Sequence, residues 1–365
     1  MEIIKQGVVY RATETPFRYQ GWPSVAVDER GTLYAVFSGY RSSHVCPMGK
    51  TVMCVSYDGG ELWSCPIIVN DTVYDDRDAG ITYLSDGKMV LSWFHNNPEY
   101  YCGPWREKVV GNAEPEALPV VLGMLEYYEK TFGKGGDVSA SFTKVSDDYG
   151  MSWHSKSVIP VSAPHGAVYT ASGRLLYVGK CTKGRCEIIG NMQFNSADTA
   201  LYESFDCGRS WKYVSTIPID DVMVRKNAYE PHIAELADGT IVVAIRIGEK
   251  EDFTIYTTRS HDGGKTWDEL AKTGICGSPP HLLVLRDGSL LLSYSRRLSP
   301  LGSRARISTD GGITFGDEIL LSNTHHNDHG YAATAQLPDE SFVTVYYERY
   351  ADDSKTSILY TKWRL

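Results

Sequence analysis

Apolar positions in this chain come in short runs rich in β-branched and aromatic residues, each bounded by Gly or Asp turn signals. That pattern predicts many short strands joined by tight turns rather than long helices. The runs fall into pairs. Residues 23–27, 79–84, 167–170, 233–236, 282–285 and 332–337 lead into turns at Asp28-Glu29-Arg30-Gly31, Asp86-Gly87, Ser172-Gly173, Asp238-Gly239, Asp287-Gly288 and Asp339-Glu340. Residues 33–37, 89–94, 175–178, 241–245, 290–294 and 342–347 leave those turns, which makes six repeating units.

A second repeat runs out of phase with the first. The phrase S-x-D-x-G-x-x-W/F occurs five times, at 56–63, 146–153, 204–211, 260–267 and 308–315. Its Asp can bond backbone N–H groups further along and fix a turn that the Gly closes, after which the Trp or Phe opens a strand and packs. A third strand enters each phrase, as at 51–55 and 253–257, and a fourth leaves it. Six units of four strands describe an all-β, six-bladed β-propeller spanning residues 1–365 as one domain. The sixth unit has no such phrase; residues 356–365 are its third strand, and 3–10 would supply the fourth and close the ring.

One unit is too long. Blade two carries an insertion at 98–137 with a helix-compatible stretch at 114–131, which suits a lid or a homo-oligomer contact. A smaller excursion at 181–195 occupies the matching loop of blade three.

The repeated phrase resembles the Asp-box, or BNR, repeat of the sialidase superfamily, and the resemblance covers the whole chain. It implies the propeller fold more strongly than it implies an activity. Because consecutive strands are antiparallel, both kinds of turn share one face of the disc. The opposite face gathers the starts of first strands and the ends of second strands. There the first strands bring Trp22, Arg77, Asp78, His165, Glu230, His232, His281 and the run Asp328-His329-Gly330-Tyr331. The second strands bring Arg41, His44, His95, Lys180, Arg246, Arg296, Arg297, Tyr347 and Glu348. Every blade contributes ionisable or aromatic groups, so a pocket is expected at the axis.

Sialidases are similar in having a catalytic Glu on the first strand of a middle blade and an Arg ending the next strand, where this chain has Glu230 and Arg246. The resemblance implies a second Arg at Arg296 or Arg297 and a nucleophilic Tyr at Tyr331. A neutral Tyr activated by Glu avoids repulsion by a carboxylate on the anomeric carbon, and forked Arg groups bind that carboxylate. Two positions depart from the family. Its first Arg, in Arg-Ile-Pro, is replaced by Gly21-Trp22-Pro23, and the loop 41–50, where its acid/base Asp belongs, holds no carboxylate. Arg41 or Arg77 is left as the replacement ligand, and Asp78 or His44 as the acid/base.

The first expectation is therefore a sialidase-type glycoside hydrolase acting on a terminal, acidic sugar. Tyr331, Glu230 and Asp78 would be catalytic; Arg246, Arg296, Arg77, Arg41, Trp22, His44, His95, His165, His281, Lys180 and Tyr347 would bind the glycan. A propeller lyase acting on uronic acid glycans by His/Tyr-assisted β-elimination is the second reading, and a non-catalytic carbohydrate-binding propeller the third. A net charge of −9 without a basic run argues against nucleic acid and anionic membranes as partners. No run is long enough to span a membrane, and the start of the chain lacks a signal-peptide pattern, so a cytoplasmic location is expected. The eight Cys are expected as free thiols, and no metal or cofactor is implied, because the His residues come from different blades without ligand spacing.

Overall fold

The structure, a computed structural model, describes residues 1–132, 139–181, 198–249 and 252–365. Six antiparallel sheets carry the chain. Blade one is Tyr19–Val27, Leu33–Arg41, Lys50–Ser56 and Ile67–Asn70. Blade two is Arg77–Tyr83, Met89–His95, Ala140–Ser146 and Ser157–Ile159. Blade three opens with two short pieces, Val161–Ser162 and Val168–Tyr169, then Leu175–Cys181, Thr199–Ser204 and Lys212–Thr216. Blade four is Ala228–Glu235, Ile241–Glu249, Asp252–Ser260 and Ala271–Cys276; blade five is His281–Val284, Leu290–Arg296, Gly302–Ser308 and Ile319–Leu320. Blade six joins Gly330–Gln336, Phe342–Arg349 and Thr356–Arg364 to the N-terminal strand Glu2–Tyr10, with Glu2 opposite Arg364. The expected six-bladed propeller and its closing strand are both present.

Each Asp-box turn uses its side chains as the sequence suggests. In the first, Asp58 Oδ1 accepts from the N–H groups of Glu61 and Leu62 at 3.0 and 2.9 Å. Ser56 Oγ accepts from Gly60 N at 2.8 Å. The aromatic residue then ties its blade to the one before. Trp211 Nε1 donates to Thr143 Oγ1 at 3.1 Å, and Trp267 Nε1 to Ser215 Oγ at 2.8 Å. Between blades, alternate apolar side chains interlock, as where Val25, Leu33 and Val52 of blade one meet Ala333, Val343 and Tyr360 of blade six.

In blades one, two, four and six the inner strand starts earlier than expected, because it continues through a bulge towards the axis. Trp22, Asp78, Glu230 and Tyr331 have φ values of 54°, 50°, 51° and 57°. In each case the pairing with the second strand shifts register around that residue. His165, with φ 69°, lies between the two short pieces of blade three. Left-handed backbone in a residue with a side chain costs about 1 kcal/mol or more. Five blades accept that cost at the same place, and it turns one side chain per blade out of the pleat.

The insertion departs from expectation in detail. Its long helix is Leu118–Thr131, starting where Pro119 fits the first turn, and two short helices precede it, Pro98–Cys102 and Arg106–Gly111. These pack through Tyr101, Val109, Val121, Leu125 and Tyr128 into a small core of their own. The excursion at 181–195 falls, beyond Cys181, outside the described residues.

Candidate functional site

The bulged residues converge on the axis. Tyr331 Oη donates to Glu230 Oε1 at 2.5 Å, and Arg246 Nη1 lies 2.8 Å from Glu230 Oε2. One carboxylate thus takes a phenol on one oxygen and a guanidinium on the other. Burial and then the Glu230 charge push the Tyr331 phenol well above its ordinary value. It keeps its proton at rest and holds it in the bond to Glu230. Asp78 is also buried, and burial lifts its carboxyl to about 7 against the opposing charge of Arg77, with Glu230 adding to the rise. Arg77 is loosely held, 3.9 Å from Asp78 and 3.7 Å from Asp75, with its guanidinium 4.1 Å over the Trp22 ring.

Beside this group a cleft of ≈280 Å³ is lined by Asp78, His95, Tyr100, Lys180, Tyr229 and Glu230. Lys180 Nζ donates to the carbonyls of Lys226 and Ala228, both at 2.8 Å, and lies 3.5 Å over the Tyr229 ring. Burial, helped by the Arg246 charge, lowers it to about 8. A second hollow of ≈180 Å³ is lined by Tyr19, His44 and Asp328 and, from the rim, Asn112, Arg349 and Lys355. A buried Tyr bonded to a base that itself lines a cleft, with Arg246 and Lys180 close by, has the parts for nucleophilic substitution at an electrophilic carbon of a bound anion.

A profile of the BNR repeat-like domain matches residues 124–345. The chain belongs to the BNR repeat-like family. The resemblance to Asp-box proteins of the sialidase superfamily is thereby borne out. Among curated proteins no sequence matches the chain. Similar solved structures include a Dyadobacter fermentans protein of unknown function, 23% identical, with a TM-score of 0.76 and coverage of 99% of this chain and 98% of that one. The intramolecular trans-sialidase of Ruminococcus gnavus is 16% identical, with a TM-score of 0.65 and coverage of 100% and 98%. The Penicillium chrysogenum α-L-arabinanase is 12% identical, with a TM-score of 0.62 and coverage of 100% and 99%. At these identities the likeness is one of fold, and that fold carries more than one sugar chemistry.

In this BNR protein several residues expected in the pocket stand elsewhere. Arg41 is 0% exposed and forks onto Asp75, with Nη2 to Oδ2 at 2.9 Å. It supports Trp22 from below, 4.7 Å from the ring, and its guanidinium is already occupied. Arg296 turns outward to Glu318 at 3.1 Å. Its neighbour Arg297 turns inward instead, donating to the His329 carbonyl and, at 3.2 Å, to Ser278 Oγ beside Tyr347.

His165 and His281 lie beneath the pocket, not in it. With His232 they line the inner end of an axial cavity of ≈420 Å³ whose other walls include Tyr83, Glu235 and Arg286, next to the turns of the opposite face. Their ring centroids are 4.6 to 5.8 Å apart. Burial drives all three below the ordinary histidine value, His281 to about 3, so they are neutral. His95 is stacked on Tyr74 at 4.2 Å, with its edge of the cleft still lined by the ring. Trp22 and Tyr347 are buried aromatic wall, 6.4 and 6.0 Å from the Tyr331 ring.

Sequence reasoning passed over Asp75, which accepts from Arg41 and, at 2.6 Å, from Tyr101 of the insertion. It also passed over Tyr19 and the role of Asp328. The acidic run Asp75-Asp76-Arg77-Asp78 was the available signal, although nothing in it distinguishes an anchor from a reactive group.

Proposed function

We propose that this protein is a glycoside hydrolase of sialidase type that releases a terminal acidic sugar from a glycan. The observation that carries the reading is the 2.5 Å bond from Tyr331 to Glu230, with Arg246 on the carboxylate's other oxygen. Tyr331 Oη attacks the anomeric carbon while Glu230 takes its proton. The phenol need never exist as a free buried phenolate, which its surroundings oppose. An uncharged nucleophile suits a substrate whose own carboxylate would repel an attacking Asp or Glu. Arg246, Arg77 and Lys180 supply the positive charge that such a carboxylate requires, and Arg77 is the least committed of them.

The reading is tested by mass spectrometry of products from sialylated, uronic-acid-containing and neutral oligosaccharides, with Tyr331→Phe alongside. Products that sum to substrate plus one water, reduced about 100-fold or more in the variant, are expected. An unsaturated fragment with no water gained would replace hydrolysis by elimination. Binding without turnover of any substrate would leave a lectin.

A further inference from the structure

Building on the hydrolase reading, we propose that His44, anchored by Asp328, is the acid/base residue that gives its proton to the leaving oxygen. His44 stands on the loop between the second and third strands of blade one, the loop that carries no carboxylate. Its Nδ1 lies 3.0 Å from Asp328 Oδ1 and 2.9 Å from Tyr19 Oη. Asp328 Oδ1 also accepts from Tyr19 Oη at 3.0 Å and from Tyr347 Oη at 3.2 Å. With the Tyr19 proton committed to Asp328, the imidazole carries its own proton on Nδ1 and shares it with that carboxylate. Nε2 is then the nitrogen that faces substrate. A carboxylate fixing one ring nitrogen so that the other can exchange protons is the general arrangement of an oriented acid/base.

The placement agrees. The His44 side chain is 48% exposed at the rim of the ≈180 Å³ hollow, so a departing aglycone can reach it. Its ring meets Trp22 edge-on at 4.9 Å, and Trp22 in turn meets Tyr331. Asp78 is disposed otherwise. Its side chain is 8% exposed against Arg77, and, like Glu230, it rises from the inward bulge of its own blade to line the same cleft. On this proposal Asp78 stays with Glu230 on the nucleophile's side of the sugar, and His44, in the separate hollow, meets the leaving oxygen on the other.

The steps balance. In the first, the Tyr331 O–carbon bond forms as the carbon–leaving oxygen bond breaks; Glu230 gains the phenol proton and the leaving oxygen takes the Nε2 proton of the His44 imidazolium, which is left neutral with its proton on Nδ1. In the second, water adds to the carbon as the carbon's bond to Tyr331 breaks; one water proton passes to His44 Nε2, the other stays on the product hydroxyl, and Glu230 returns the phenol proton to Tyr331. The groups facing His44 are Asp328, Tyr19, Arg41, Arg77 and, at the rim, Arg349 and Lys355. Desolvation of the ring's inner edge, packed against Tyr19 and Trp22, lowers the imidazole from its ordinary 6.5 against the pull of Asp328, and Arg77 and Arg41 lower it further. Because the acid form is needed first, activity should fall as pH rises through that lowered value.

The test compares wild type, His44→Gln, Asp328→Asn and Asp78→Asn on 4-nitrophenyl and lactose-linked glycosides of the sugar found in the product screen, beginning with N-acetylneuraminic acid. His44→Gln should lose about 100-fold or more on the lactose-linked substrate and less than about tenfold on the nitrophenyl one, whose leaving group needs no proton. Its alkaline limb should disappear, and Asp328→Asn should move that limb while keeping the imidazole. Equal losses on both substrates, no loss, or a leaving-group dependence that follows Asp78→Asn instead would overturn the assignment while leaving the Tyr331 chemistry intact. A wild type that hydrolyses neither substrate nor any panel glycan would remove the hydrolase reading and this proposal together.

Discussion

Asp78 and Tyr331 are both kept protonated by burial, yet only Asp78 titrates in an accessible range. Its folded value of about 7, against the ordinary 3.8, means that the folded chain takes up a proton there that the unfolded chain releases. Stability is therefore present below the unfolded value and declines as pH rises from about 4 through about 7. Thermal melts at pH 5 and pH 8 should show a smaller decline in Asp78→Asn, by at least about 1 kcal/mol. An unchanged decline would mean that Asp78 is ionised in the fold. Glu230, Arg246 and Tyr331 could be picked from sequence because the sialidase resemblance assigns roles to those places on the blades, and Tyr331 keeps the same offset from its turn as Glu230 does. The choice between Arg296 and Arg297 could not, since it depends on which side of a strand end faces the axis. Nor could the loss of Arg41 to Asp75, which needs a loop from the next blade to arrive beneath it.

Among the elements, the Asp boxes were the most legible, because their bonds join residues only a few positions apart. The insertion was the least. Its length was plain, but the short helices around Tyr101 and Val109 gain their order from packing on one another, which no local pattern announces. The Tyr101 hydroxyl fastens this unit to the propeller through Asp75. Tyr101→Phe should cost roughly 1.5–3 kcal/mol, since a buried hydrogen bond to a charged group is lost. Chemical denaturation checks the value, and a change within error would mean that water replaces the hydroxyl at no cost.

Across the whole molecule, the ring is closed by a strand from the far end of the sequence, visible early because the last unit was one strand short. Removing residues 1–10 would bare the edge of Thr356–Arg364 along its length. The expected outcome is a melting temperature lower by about 10 °C or more, with aggregation seen by light scattering. A truncated chain that melts as the full one does would show that closure adds little. The inward bulges at Trp22, Asp78, His165, Glu230 and Tyr331 have a different consequence. In all five the backbone fixes where the side chain points, whether it is an indole, an imidazole, a carboxyl or a phenol. Position and reactivity are thus set by separate parts of the chain. A ring of this design can change its chemistry by exchanging one residue per blade while the scaffold keeps its shape. Relatives of this protein are then better compared socket by socket around the axis than by matching reactive residues along the sequence.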